Sequence, residues 1–144
     1  MYYASVIDWN WKDNIIRANP NFHQHPRYDY ALVQVNGNEC VFVQVLFIFS
    51  TRHLDRNLNL ALVLPFDVPK LPANRSRDDA LRLTRLCPRR QTETVVINVD
   101  TVIRGGLLAP DLASRGGEFL VVDVIDEDMW MRLKDVEFVT RARI

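Results

Sequence analysis

Two long runs of β-branched and aromatic residues, separated by an Asn-Gly pair, dominate the hydrophobic pattern of the chain. The first run covers residues 28–35 and the second covers residues 39–49. Asn36 and Gly37 lie between them, and this residue pair readily supplies the two consecutive positive φ angles of a tight turn. The second run is too long and too apolar for a surface ribbon. The pattern therefore predicts a β-hairpin whose second strand is buried in the middle of a sheet.

Further short apolar segments, separated by turn signals, predict more strands along the chain. They cover residues 58–68, 80–87, 92–102 and 118–125. Segment 80–87 fits one helical turn or a strand, and we favour a strand because its arginines and threonine alternate with leucines. Polar composition with prolines and asparagines predicts loops at 19–26 and 50–57 and a flexible connection at 70–79. A bulge or sharp bend is expected at the double glycine of residues 105–106.

Short strands with frequent turn signals are typical of an all-β domain, and helix signals are weak throughout the chain. We expect a single domain over residues 1–144, in which residues 1–26 form an N-terminal arm and loop region. The expected architecture is a small Src-homology-3-like barrel with long loops and little helix, because closure removes exposed strand edges. A two-layer β-sandwich is the structural alternative.

Composition excludes several classes of protein. A hydrophobic content of 48% with 25% charged residues is ordinary for a globular domain and argues against disordered and fibrous classes. Neither a membrane span nor a signal peptide is visible, so we expect no membrane partner and a nuclear or cytoplasmic location. The two cysteines, Cys40 and Cys87, lack metal or redox spacing and are expected to be reduced, with a disulfide between them as the alternative.

Charge is distributed unevenly along a chain whose formal net charge is zero. Residues 70–90 carry a net charge of +5, and residues 118–128 carry −5. In one interpretation the basic segment lies along phosphates and anchors nucleic acid. In the other, the two segments are neighbours in the fold and neutralise each other. The residues predicted to bind nucleic acid or a partner are Arg75, Arg77, Arg82, Arg85, Arg89 and Arg90.

Aromatic residues supply a second set of candidate contacts. Tyr28, Tyr30 and Trp130 could stack on bases or enclose a methylated lysine by cation–π attraction, worth about 0.5–2 kcal/mol per contact. Tyr3, Trp9 and Trp11 lie in an N-terminal segment that is predicted to be extended, and Trp9 and Trp11 then share a face. These three residues predict a core face or a self-association surface.

Catalytic and metal-binding patterns are weak. The three histidines and two cysteines do not show the paired spacing of zinc ligands, and no glycine-rich phosphate loop is present. Asp29 with His23 or His25 could form an acid–base set for phosphodiester hydrolysis. In such a position, however, an aspartate more often bonds the loop backbone and pairs with a nearby arginine such as Arg27. We expect no catalytic residue, no metal and no cofactor, and a nucleic-acid hydrolase is the least favoured function.

Several segments resemble, in order and spacing, a domain found in open reading frames of DNA transposons of mushroom-forming fungi. The resemblance covers about residues 15–135, and its matching segments are 19–23, 27–30, 40–49, 102–108 and 119–129. The layout is also similar, more faintly, to bromo-adjacent homology domains, with a long central strand and an arginine-bearing strand at 83–85. The Arg-Pro-Glu/Asp signature of those domains is replaced here by Arg-Leu-Cys-Pro-Arg at residues 85–89.

The second resemblance implies a reader of histone tails, nucleosomes or partner proteins, often with an aromatic cage. Together, the residues and the resemblances predict a non-enzymatic binding module, transposon-derived or chromatin-associated. Its expected partner is nucleic acid or a histone-like protein, bound through the arginine-rich segment and the aromatic residues. A protein–protein or self-association module is the alternative hypothesis.

Overall fold

The computed structural model describes residues 2–7, 10–70, 75–114, 117–123 and 137–138, which are mostly β-strand. The predicted all-β fold class is confirmed. Within these ranges there are thirteen strands, in one nine-stranded sheet and two two-stranded sheets. The strands are β1 (Tyr2–Ile7), β2 (Asn10–Ile15), β3 (Ala18–Phe22), β4 (His25–Tyr28), β5 (Tyr30–Asn36), β6 (Glu39–His53), β7 (Arg56–Asp67), β8 (Arg85–Pro88), β9 (Val95–Asn98), β10 (Val102–Gly106), β11 (Leu108–Pro110), β12 (Phe119–Val121) and β13 (Glu137–Phe138).

The long strand β6 is the centre of the main sheet. It pairs with β5 from Glu39 to Gln44 and with β7 from Val43 to His53. The turn between β5 and β6 consists of Gly37 and Asn38, and of these two only Gly37 has a positive φ, at 50°. The predicted hairpin is therefore present, but its turn lies one residue later than the Asn-Gly pair suggests.

Both faces of β5 and β6 are buried because successive side chains of a strand point to opposite sides. One hydrophobic cluster includes Val33, Val43 and Val63, and the other includes Leu32 and Phe42. All five of these side chains are fully or almost fully buried. This arrangement confirms the prediction that the second strand of the hairpin lies inside the sheet.

Two segments predicted to be loops are instead hairpins. β3 and β4 pair across His23 and Gln24, whose φ angles are 49° and 69°. β6 and β7 continue their pairing to His53 and Arg56, across Leu54 and Asp55, whose φ angles are also positive. Polar composition indicated solvent exposure correctly in both segments, but an exposed strand needs only backbone partners and a compatible turn.

The segment 70–88 differs from its predicted structure. A short helix, α1 (Arg75–Leu81), occupies part of the expected flexible connection and the start of the expected strand 80–87, of which only residues 85–87 lie in β8. Arg82 ends the helix with a φ of 52°, and the Leu83 N–H donates to the Asp78 carbonyl at 2.8 Å. This helix end brings the chain back toward β7, where β8 pairs.

The main sheet contains the order β10-β5-β6-β7-β8-β12-β11, with β9 beside β7 and β13 beside β6. The predicted strand 92–102 is divided by 3-10 helices at Gln91–Glu93 and Val99–Thr101, with β9 between them. The second 3-10 helix connects β9 to β10. These two strands lie at opposite ends of the strand order β10-β5-β6-β7-β9. Among the described strands β9 and β10 are not paired, so a closed barrel stays a prediction. A bulge or sharp bend was predicted at the double glycine, but Gly105 and Gly106 pair in regular register with Ala31 and Tyr30, and the register shift lies before them, between Val102 and Arg104.

Candidate nucleic-acid interface

Arg85, the first residue of β8, is surrounded by three carboxylates rather than by solvent. Its Nε and Nη2 donate to the two oxygens of Asp78 at 2.6 and 3.0 Å. Its Nη1 donates to Asp111 at 2.7 Å and to Glu118 at 3.0 Å. The residue is 6% exposed. Arg85 was predicted to contact nucleic acid or a partner, but its guanidinium is buried and donates four hydrogen bonds within the fold, which makes it a poor candidate for such a contact.

Three different elements supply the carboxylates of this cluster. Asp78 comes from α1, Asp111 follows β11 and Glu118 precedes β12. Hydrogen bonds hold two of them in place, since the Ala113 N–H donates to Asp111 and the Ser114 Oγ donates to Glu118. The hydrogen bonds to Asp78 and Asp111 raise the pKa of Arg85, and the bond from Arg85 lowers the pKa of Asp111.

Arg89 makes a second internal ion pair. Its Nε donates to both oxygens of Asp67, at 3.0 and 2.9 Å, and its Nη2 donates to Oδ1 at 2.8 Å. These bonds, although opposed by burial, raise the pKa of Arg89. Because β8 pairs with β7 at Asp67, the pair ties the end of β8 to the main sheet. Arg89 is therefore a poor candidate for a contact with nucleic acid.

The two charge blocks predicted from the sequence meet at one point in the described residues. Arg85 contacts Glu118, and its other partners, Asp78 and Asp111, lie outside the acidic segment. Asp126, Glu127 and Asp128 lie outside the described residues. Within the described residues, the ion pair that joins the basic segment to the acidic segment is therefore the one between Arg85 and Glu118.

The remaining arginines of the predicted set have different positions. Arg77 and Arg82 are exposed at α1 and at its end, and Arg90 is exposed after β8. Lys70 is also exposed. It follows the end of β7, and because β7 and β8 are antiparallel, it lies near the beginning of β8, which Arg82 precedes. Arg75 is the first residue of α1. The exposed cations thus lie at both ends of β8, around the two arginines that the fold buries.

Basic side chains are more often exposed than acidic ones in the part of the chain whose side chains are described. Among residues 15–70, 76–114 and 117–123, seven of the eleven basic side chains are exposed, but only three of the eleven acidic side chains are. The exposed basic residues are Arg27, Arg52, Arg56, Lys70, Arg77, Arg82 and Arg90, and the exposed acidic residues are Asp55, Asp79 and Asp100. The fully exposed side chains of this region therefore carry more positive than negative charge, while seven of the other eight acidic residues are half-buried.

Three of those exposed arginines, Arg27, Arg52 and Arg56, were not among the predicted contacts. Arg52 and Arg56 lie near the tip of the β6–β7 hairpin, where Arg52 pairs with Asp55 at 2.9 Å. The sequence segment 50–57 was expected to be a loop. Recognising that two residues there could form a tight turn would have placed both arginines on an exposed two-stranded ribbon.

Tyr30 lies in a packed aromatic cluster. Its ring is 5.8 Å from that of Phe66 and 6.1 Å from that of Phe119, and the latter two rings are 5.4 Å apart. At these separations the rings contact one another directly and leave no space for a cation between them. Burial also raises the pKa of Tyr30. Tyr28 is half-buried at the end of β4, and Trp130 lies outside the described residues.

The residues predicted for self-association lie in and next to the N-terminal hairpin. Tyr3 lies on β1 opposite Asn14, and Trp11 lies on β2 opposite Val6. Trp9 lies outside the described residues. The backbone pairing makes this region a two-stranded sheet, where the sequence predicted a single extended arm.

Asp29 has a structural role at the entry to β5. Its Oδ2 accepts from the Arg17 N–H and its Oδ1 accepts from the Arg27 Nε, each at 2.9 Å. The interpretation that this carboxylate bonds the loop backbone and a nearby arginine is confirmed. His23 and His25 are exposed, and both cysteines are free thiols. In the described part of the chain, no group of three potential metal ligands is present.

None of the described helices is long and apolar enough to span a membrane. No family model, no curated protein and no solved structure matches the chain.

Proposed function

We propose that this chain is a non-enzymatic binding module whose exposed arginines contact the phosphates of nucleic acid. The observation that carries the proposal is the exposure of basic side chains, since Arg85 and Arg89 pair with carboxylates inside the fold while Arg77, Arg82 and Arg90 stay exposed. Arginine and lysine side chains near phosphates release condensed counterions, which favours binding without a requirement for base contacts.

Arg77, Arg82 and Arg90, with Lys70, are the contacts we favour. They lie around β8, which is held rigidly by the ion pairs of Arg85 and Arg89. Such preorganisation reduces the conformational entropy lost when the surface binds a partner. The exposed β6–β7 hairpin adds Arg52 and Arg56, and a two-stranded ribbon has dimensions that fit a major groove.

The sign of the exposed charge favours nucleic acid over a histone-like partner. Histone tails are basic, and like charges facing each other across an interface reduce affinity. The similarity to bromo-adjacent homology domains supports a chromatin setting, in which the module would contact the DNA of the nucleosome.

Salt-dependent binding tests the proposal. We would titrate the protein against a fluorescein-labelled 20-base-pair duplex and a labelled single strand, at 50 and 200 mM salt, and follow fluorescence anisotropy. If about four phosphates are contacted, affinity for the duplex should fall by about two orders of magnitude between these salts, given a slope of about −0.9 per contact. Flat titrations with both probes at the lower salt would refute the proposal.

Charge variants locate the interface. Arg82→Glu combined with Arg90→Glu should weaken binding at least tenfold and flatten the salt dependence by roughly two contacts. Arg82→Lys combined with Arg90→Lys is the matched control, because it keeps the charge, and it should preserve the salt dependence. Equal affinity of the two double variants would remove these arginines from the interface.

A self-association module is a second candidate, favoured by an exposed apolar row on the main sheet. Phe47, Leu62 and Val96 are cross-strand neighbours on β6, β7 and β9, and Phe47 and Val96 are 58% and 54% exposed. Phe49 stacks on Phe47 with ring centres 5.8 Å apart. Sedimentation over a hundredfold range of concentration tests this candidate, and a monomeric mass throughout would rule it out.

A further inference from the structure

Among the described residues, two strands of the main sheet have edges without a paired neighbour. β10 pairs with β5 only as far as Val33, so Gln34, Val35 and Asn36 have no described partner strand on that side. β9 pairs with β7 on one side, and no described strand pairs with it on the other. Unpaired backbone N–H and C=O groups of this kind are ready to bond an added strand.

The two unpaired edges face a common groove. Its volume is about 340 Å³, and residues 33–36 of β5 and 96–98 of β9 line it. Thr101, from the connecting 3-10 helix, also lines the groove, and its Oγ1 donates to the Asn98 carbonyl at 2.7 Å. The Asn98 side chain is also engaged, since it accepts from the Asp100 N–H. The backbone edges are therefore the main bonding groups offered to a ligand.

Side chains alternate along both walls of the groove. Val33, Val35 and Ile97 belong to the hydrophobic cluster between the strands or pack against it. Gln34, on the other face of β5, is exposed, and so is Val96 on β9. An added strand would therefore meet apolar side chains on its inner face and a largely polar rim on its outer face.

No charged side chain occurs among the described residues that line the groove. The groove is thus chemically distinct from the basic surface around β8. It offers a phosphate no cationic side chain, and it would leave a charged ligand side chain without a partner on the inner face.

We propose that this groove binds an extended, uncharged peptide segment, which adds as a strand between β5 and β9. The free edges span three residues of β5 and four of β9, so about four residues of ligand would lie inside at about 3.3 Å per residue. Alternate apolar side chains of the ligand would contact Val35 and Ile97. Backbone hydrogen bonds to the two edges would supply affinity, as in other cases of strand addition.

The first test uses synthetic peptides of one composition. The probe is SVTVSVT-amide with fluorescein on its N-terminal amine, and the control is SSTVVVT-amide labelled in the same way, which has the same residues without alternation. A third peptide carries N-methyl groups on alternate residues of the first sequence, which removes backbone donors and leaves the side chains in place. We expect the alternating peptide to bind, and each control to bind at least tenfold more weakly. If all three peptides bind with equal affinity, or if none of them binds, the proposal is overturned.

The second test locates the peptide on the protein. Amide hydrogen exchange of the wild-type chain should slow at residues 34–36 and 95–98 when the alternating peptide is added. Val35→Glu should weaken peptide binding at least tenfold, whereas Thr92→Glu, at an exposed position outside the groove, should not. Arg82→Glu should also leave peptide binding unchanged. If the peptide slows exchange at other residues instead, the proposal is overturned. It is also overturned if exchange at residues 95–98 slows with rising protein concentration in the absence of peptide, and that result would indicate strand pairing between copies.

Discussion

Arg85 and Asp78 form a two-bonded pair in which Nε donates to Oδ2 at 2.6 Å and Nη2 donates to Oδ1 at 3.0 Å. The planar fork of a guanidinium matches a carboxylate in this geometry, and lysine could not reproduce it. Through this pair, α1 is attached to the first residue of β8. The α-helix of the described residues, α1, is therefore held by the same arginine that begins β8, a strand between β7 and β12.

Removal of Arg85 should destabilise the fold strongly. Arg85→Ala leaves the buried carboxylate of Asp78 without its cation, and breaking a buried pair in this way costs about 3–5 kcal/mol. Urea denaturation would measure the loss in the free energy of unfolding. Arg82→Ala is the matched control, and it should change the free energy by no more than about 0.5 kcal/mol because Arg82 is exposed. Similar effects of the two substitutions would contradict the structural role of Arg85.

The stability of the fold should decrease in acid through Asp111. The hydrogen bond from Arg85 holds the pKa of Asp111 below its ordinary value of 3.8. A lowered carboxyl pKa stabilises the folded state above the ordinary value, and this stabilisation disappears as pH falls through the lowered value. The urea midpoint should therefore fall between pH 5 and pH 2.5. Asp111→Asn should be less stable than the wild type at pH 6, and the difference should shrink toward pH 2.5; a constant difference would contradict this role.

Period and turn signals in the sequence are sufficient to predict the centre of the fold. Valines and aromatic residues on β5 and β6 predicted a hairpin buried on both faces, because such strands must pack on two sides. The turns at His23-Gln24 and Leu54-Asp55 were missed because ordinary residues with positive φ carry no composition signal. The carboxylates around Arg85 were also missed, since they lie 7, 26 and 33 residues away in sequence and meet only through tertiary packing.

Both thiols should react slowly in the folded protein. Burial raises the pKa of Cys40, and burial with the nearby charges of Asp67 and Glu118 raises the pKa of Cys87. Less thiolate is then present at neutral pH, and the thiolate is the reactive form. Labelling with Ellman's reagent at pH 7.5 should be at least tenfold slower than in guanidinium chloride. A cysteine introduced at exposed Ser50, as Ser50→Cys, should react rapidly, and equally fast labelling of all three thiols would contradict the prediction.

The β6–β7 turn offers a position where stability should increase. Leu54 has a φ of 45° and is 83% exposed, so it has an unfavourable backbone conformation and contributes an apolar side chain to solvent. An ordinary residue in the left-handed region costs about 1–2 kcal/mol, whereas asparagine and glycine are tolerated in two-residue hairpin turns. Leu54→Asn combined with Asp55→Gly should therefore raise the free energy of unfolding by about 1 kcal/mol.

Gly37→Ala is the matched opposite of that change. Gly37 has a φ of 50°, and a Cβ built there would meet no atom within 4 Å, so any effect comes from the backbone conformation alone. This substitution should lower the free energy of unfolding by about 1 kcal/mol. Urea denaturation of both variants measures the two effects with opposite signs. The Leu54 variant could be no more stable than the wild type while Gly37→Ala is less stable. In that case only the β5–β6 turn contributes to cooperative unfolding, and the tip of the β6–β7 hairpin opens independently of the sheet.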